Sequence, residues 1–196
     1  IRGPVGPGHV ATIDRGNPAS PVLVLTNADD MTLRDLALTG GSIGLDVRTG
    51  SSNLNVRGLT IYNNRDTGLY VEDAASDHAV IADSVFYGTT GDGNTDQNTD
   101  VDIRGQHPAV TGNMLYHTTG SLGYGLYILD TGTATVTDNQ AWNNSTTGIW
   151  VRATQMTVSG NTAYGNGTGI DVNDTDGSVY GEVFGNVAYG NATGIY

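Results

Sequence analysis

A short phrase, mostly Gly-apolar-x-apolar, returns at Ile43–Val47, Gly68–Val71, Asp100–Ile103, Gly125–Ile128, Gly148–Val151, Gly169–Val172 and Gly194–Tyr196. In step with it runs a second phrase, Val-x-x-Asn-x-apolar-aromatic-x-Asn. It is clearest at Val158–Asn166 and Val183–Asn191 and recognisable at Val110–Thr118 and Val136–Asn144. Self-similarity at a period of roughly 21 to 26 residues, stretched once near Gly91, marks a solenoid in which each coil is one structural unit. The expectation is a single all-β domain over residues 1–196, a single-stranded parallel β-helix of about eight coils.

Within Gly169-Ile170-Asp171-Val172, two-residue alternation turns Ile170 and Val172 inward and Asp171 outward. The inward column of the second phrase reads Leu33, Val56, Val80, Val110, Val136, Val158, Val183. Three residues later come Leu36, Leu59, Asp83, Asn113, Asn139, Asn161, Asn186. The change from Leu to Asn predicts an asparagine ladder, with side-chain amides bonded from coil to coil at a turn that tolerates left-handed backbone angles.

Composition narrows the partners. The net charge is -12, and the eight basic residues are all Arg. Nucleic acid is therefore not an expected partner, because phosphate binding needs clustered cations; divalent cations are compatible. No apolar run approaches the ~20 residues of a membrane span, so membrane insertion is not expected. The chain starts at Ile1, and Gly194–Tyr196 opens a repeat that does not complete. Both suggest a fragment of a longer chain, with either a further domain or end-to-end self-association covering the last strand.

The repeat phrases, with Thr12-Ile13-Asp14, Pro21–Leu25 and Met31–Gly41 as opening coils, resemble the right-handed parallel β-helix repeat proteins. This pectate-lyase-like superfamily includes pectate lyases, polygalacturonases, mannuronan epimerases and many surface proteins. The resemblance covers essentially the whole chain and implies a right-handed solenoid, in keeping with the crossover rule. It is specific for fold; the repeat phrase is a packing solution that many activities share.

Strands stacked at about 4.8 Å per coil line up their outward residues into columns. One column reads Asp46, Tyr70, Asp102, Tyr127, Trp150, Asp171, Tyr196, and two residues on the next reads Arg48, Glu72, Arg104, Leu129, Arg152, Asn173. Flat rings beside charged groups suit an extended acidic sugar chain. The resemblance implies the same face, since this sheet carries the groove in polysaccharide-active members. Simple cross-strand pairing is the alternative reading of these columns. A further aromatic column, Tyr62, Phe86, Tyr116, Trp142, Tyr164, Tyr189, reads as structural stacking.

The densest cluster is Asp102, Arg104, Tyr127, Asp130 and Arg152, the candidate catalytic residues, with Glu72 and Asp73 one coil earlier. Eliminating across a uronate needs its carboxylate neutralised, a base, and a proton donor. Arg104 or Arg152 fits the first role and Tyr127 the proton exchange. Asp46, Arg48, Tyr70, Glu72, Trp150 and Asp171 are the candidate substrate-binding residues. Hydrolysis instead needs two carboxyl groups roughly 5 to 9.5 Å apart, for which Asp102 with Asp130 or Glu72 are the candidates.

The chain departs from several motifs of the resembled group. Lyase members commonly use Lys or Arg as base, often with Ca2+ bridging substrate to carboxylates, and lysine is absent here. The epimerase phrase Tyr-Gly-x-Asp-Pro-His is matched only by Ser76-Asp77-His78. Asn98-Thr99-Asp100-Val101-Asp102 lacks the glycine of the polygalacturonase Asn-Thr-Asp-Gly phrase. His78 and His107 fall at similar turn positions and are expected to be neighbours in a surface turn.

In the long insertion, Asp92, Asn94, Asp96, Asn98 and Asp100 place an oxygen ligand at every second residue, the spacing with which a loop wraps Ca2+. Gln97 stands where such loops carry glycine, so a Ca2+ site and a hydrated acidic loop both remain open. The functional expectation is an extracellular or cell-surface protein acting on an acidic polysaccharide, lyase-type. The alternative is a non-catalytic surface, sheath or adhesin module that self-associates.

Overall fold

The computed structural model describes residues 1–4, 6, 10–72, 77–88, 97–120, 122–129, 132–173 and 180–196. Among them every regular element is a strand, arranged as a solenoid of three parallel sheets. The first sheet stacks Leu23–Leu25, Ile43–Val47, Thr67–Val71, Thr99–Ile103, Tyr124–Leu129, Thr147–Arg152, Thr168–Asn173 and Thr193–Ile195. The second stacks Thr32–Arg34, Asn55–Arg57, Val80–Ala82, Ala109–Thr111, Thr133–Thr137, Gln155–Ser159 and Tyr180–Phe184. The third stacks Ala11–Asp14, Leu36–Thr39, Thr60–Tyr62, Val85–Tyr87, Met114–Tyr116, Gln140–Trp142, Thr162–Tyr164 and Val187–Tyr189. No helix long and apolar enough to cross a membrane occurs among the described residues.

Each sheet sends buried columns into a continuous core: Leu45, Leu69, Val101, Leu126, Ile149 and Ile170, with Val47, Val71, Ile103, Ile128 and Val151 beside them, from the first; Leu33, Val56, Ile81, Val110, Val136 and Val158 from the second; Leu38, Ile61, Phe86, Leu115, Ala141 and Ala163 from the third. The expected columns are displaced by one residue in a single coil. Ile81, not Val80, pairs with Val56 and Val110; Tyr87, not Phe86, joins the aromatic column; and Ser84, not Asp83, aligns with Asn113. The neighbouring pairs Val80-Ile81 and Phe86-Tyr87 fit either register by hydrophobicity, and a one-residue slip exchanges inside for outside. The corrected column is a continuous stack, Tyr62, Tyr87, Tyr116, Trp142, Tyr164 and Tyr189, with centroids 4.3 to 5.8 Å apart.

The asparagine ladder is present at the corner between the second and third sheets. Asn139 accepts hydrogen bonds from the backbone N and Nδ2 of Asn113 at 2.9 and 3.0 Å. Its own Nδ2 donates to Val110 O and Asn161 Oδ1. The left-handed residue is not the ladder amide but the one before it: Gly58, Asp83, Gly112, Asp138, Gly160 and Gly185 have φ between 50° and 67°. This turn residue reverses the chain so that the next side chain points back into the stack.

A second ladder of Asn64, Gln97, Thr118, Asn144, Asn166 and Asn191 fills the corner between the third and first sheets. It explains the repeated glycine of the first phrase. A Cβ on Gly68, Gly125, Gly148 or Gly169 would stand 2.7 to 2.8 Å from the amide nitrogen of the ladder residue one coil on. Asp100 occupies this glycine position in its coil, where the following ladder residue is Thr118, shorter by an amide. The Asp100 side chain turns inward, fully buried, bonded to Gln97 Nε2 at 2.6 Å, with Oδ2 unpartnered.

Candidate functional site

The outward columns of the first sheet form as expected. Asp46, Tyr70, Asp102, Tyr127, Trp150 and Asp171 pair successively across six coils, and Leu129, Arg152 and Asn173 pair in the next column. At the centre Arg104 reaches back along its own strand to Asp102, Nε to Oδ1 at 3.2 Å and Nη2 to Oδ2 at 3.1 Å. Its guanidinium carbon lies 5.6 Å from the Tyr70 ring centroid and 5.9 Å from that of Tyr127, one coil to either side. Cation–π attraction and a two-point ion pair thus hold one guanidinium in place.

The Asp102 side chain is only 13% exposed while that of Arg104 is 42% exposed. Burial pushes the Asp102 carboxyl above its usual range, against the pull of the Arg104 hydrogen bond and charge. The hydrogen bond to Asp102 is the main cause that raises Arg104 in turn. Two adjoining pockets open over the pair. One, of about 140 Å³, is lined by Thr99, Asp102, Arg104, Leu122, Tyr124 and Tyr127. The other, of about 340 Å³, shares Thr99, Asp102, Arg104 and Leu122 and extends towards Tyr70 and Asp66.

The remaining predicted residues divide by environment. Arg152 is exposed on this face and makes no ion pair among the described residues. Asp46 is not open to a substrate: its side chain is 5% exposed and clamped by Arg48, Nη2 to Oδ2 at 2.7 Å. Glu72 accepts hydrogen bonds from the backbone N and Oγ1 of Thr49 on the preceding coil. Asp171 accepts one from Asn173 Nδ2. Trp150 stacks on Tyr127 at 4.4 Å and 7°, so each ring covers one face of the other. A sugar can lie flat only on an outer face of this pair or along the ring edges.

Asp130 and Asp73 lie outside the described residues, as do Asp92, Asn94 and Asp96 of the proposed Ca2+ set. The two described members of that set do not converge. Asn98 lines the larger outer pocket, whereas Asp100 belongs to a strand and points into the core. Asp100 is therefore not a loop ligand. Its residue class matched the alternation, but its position is the inward glycine site of the repeat.

Tyr124 was missed by sequence reasoning, although a signal was available. It pairs with Thr99 and Thr147 in a column that begins at Ile43 and is otherwise held by Thr67, Thr99, Thr147, Thr168 and Thr193, so an aromatic ring interrupts a run of threonines at the pocket. Its ring lies 5.1 Å from Tyr127, and burial raises its hydroxyl, with Tyr127 and Asp171 adding to the effect. The expected neighbourhood of His78 and His107 is present: their rings stack at 4.9 Å.

Comparison with known proteins agrees with this architecture. A family model described as "Right handed beta helix region" matches residues 44–196. Comparison with curated proteins finds no match. Among solved structures, the chain is similar to an alginate lyase from Paenibacillus sp. str. FPU-7. The TM-score is 0.64 at 18% identity, over 100% of this chain and 82% of that one.

Proposed function

The chain belongs to the right-handed β-helix family, and from that premise we propose that it is an extracellular or cell-surface protein that binds and processes an acidic polysaccharide along its first sheet. The observation that carries this reading is the Arg104 guanidinium, fixed between Tyr70 and Tyr127 and paired to Asp102 beneath two adjoining pockets. An alginate lyase shares the fold, which makes a uronate-containing chain a reasonable substrate class.

In an elimination, the uronate carboxylate takes up one of the hydrogen bonds that Arg104 now gives to Asp102. Its negative charge is thereby neutralised and the adjacent proton made more acidic. Tyr127 and Tyr124, both at the smaller pocket, are the hydroxyls placed for proton exchange. Arg152, paired in register with Leu129 one coil earlier and exposed, supplies a second cation for a neighbouring uronate. The deeper Asp102 carboxylate holds Arg104 in place until substrate arrives.

A second reading, a non-catalytic surface module, is favoured by one observation. Arg48 and Arg104 already have carboxylate partners in their own strands, and the rings of this face stack on one another. The experiment that separates the two is a panel of acidic polysaccharides followed by absorbance at the unsaturated-uronate band and by reducing ends. Unsaturated products that disappear in Arg104→Ala support elimination. Reducing ends without the band indicate hydrolysis. Binding with no product leaves a recognition module, and neither binding nor product overturns the proposal.

A further inference from the structure

On the corner between the first and second sheets, three left-handed turn residues of successive coils stack: Asn53, His78 and His107, with φ of 57°, 59° and 56°. Their alignment follows from the backbone, since Asn53 N donates to Asp77 O and His78 N to Gln106 O. Asp77 precedes His78 and sends its carboxylate across both rings. Oδ1 lies 3.0 Å from His78 Nδ1 and 2.7 Å from His107 Nδ1. The rings are 20° from parallel with centroids 4.9 Å apart.

We propose that Asp77, His78 and His107 form a three-ligand site for a divalent transition cation of the Zn2+ type. The three ligand atoms lie within 4.8 Å of one another, converging on a region small enough for one ion. Zn–N and Zn–O bonds are about 2.0 to 2.2 Å long, so the carboxylate must withdraw by a small rotation as the ion enters between it and the two rings.

The donor set decides the metal class. Two imidazoles and one carboxylate suit Zn2+ and its transition-metal neighbours, whereas Ca2+ and Mg2+ prefer all-oxygen shells. The His78 side chain is 61% exposed, leaving access for the ion and a water as fourth ligand. Both imidazoles are held by stacking and by the turn geometry of the repeat. The ion therefore meets a partly assembled site and ties together the two coils on either side of residues 89–96.

Asparagine at His78 or His107 tests this without breaking the turn, because Asn53 already adopts the same backbone angle in the same column. The chelator-treated chain is titrated with ZnCl2 by calorimetry, and its melting temperature is followed with Zn2+, Ca2+ or Mg2+. The expected result is one Zn2+ per chain with a rise in melting temperature, and no comparable rise with Ca2+ or Mg2+. His78→Asn and His107→Asn are each expected to weaken Zn2+ binding at least about tenfold, while His117→Asn, on another corner, leaves it unchanged. No Zn2+ uptake by the wild-type chain, or wild-type affinity in either of the first two variants, overturns the site.

Discussion

Gln97 donates its side-chain amide to the Asp100 carboxylate at 2.6 Å inside the solenoid, where every neighbouring coil of the first sheet has glycine. Burial raises the Asp100 carboxyl well above its usual range, and the Gln97 hydrogen bond and the Tyr116 backbone only partly oppose this. A folded-state value above the unfolded one means that stability is greatest below the unfolded value and is lost as pH rises towards the folded one. Asp100→Asn removes the titrating group while keeping an acceptor for Gln97. The variant should match wild type below about pH 3.9 and exceed it increasingly as pH rises, read as the difference between melting curves across pH.

Asn139→Ala should destabilise by roughly 2–5 kcal/mol, because it leaves buried groups of Asn113 and the Val110 carbonyl without partners. Chemical denaturation checks this. A cost under about 0.5 kcal/mol, the scale of an ordinary surface change, would mean that water replaces the ladder.

Gly148→Ala places a Cβ 2.8 Å from both Asn166 Nδ2 and Gly169 O. One neighbour is backbone, so relief requires moving a strand. A loss of about 1–3 kcal/mol is expected, measured in the same denaturation series.

Trp150→Ala should weaken binding of acidic oligosaccharides in calorimetry and cost about 1 kcal/mol of stability, the scale of one aromatic pair, through lost stacking on Tyr127. Equal oligosaccharide affinity in both proteins would remove this ring from the groove.

Asp102→Asn should strengthen binding of acidic oligosaccharides, because Arg104 loses the carboxylate that competes with a uronate. Burial raises the Asp102 carboxyl, so in the wild-type protein its protonation on acidification releases Arg104 in the same way. Wild-type affinity should rise as pH falls towards that value, and the Asp102→Asn variant should lack the rise. Parallel pH profiles for the two proteins would exclude this competition.

The repeat made most of the fold legible, because period-two alternation and recurring Gly and Asn constrain every coil in the same way. The errors cluster where two adjacent residues satisfy the same rule, as with Val80-Ile81 and Phe86-Tyr87, which only the neighbouring coils resolve. The site was legible as columns but not as contacts. Asp46 and Asp102 occupy equivalent positions, yet Asp46 is closed off beneath Arg48 and Asp102 lines both pockets. Exposure depends on the irregular segments above the sheet, such as the turn bearing Leu122, whose course no repeat dictates. The matching turn positions of His78 and His107 made their rings legible as neighbours, but nothing in the sequence directs the Asp77 carboxylate across to His107 on the next coil.

The substitution of Asp100 for glycine, facing Thr118 rather than asparagine one coil on, bears on how this chain can change over evolutionary time. Solenoids grow and shrink by duplicating or deleting whole units, since each unit meets only its neighbours. The units that carry both asparagine ladders, from Asn139 and Asn144 onward, are alike, but those carrying Asp100 and Thr118 are matched partners. A duplicated unit inserted between them would set its own ladder asparagine against Asp100. That junction is a fixed point about which the rest of the array is free to lengthen.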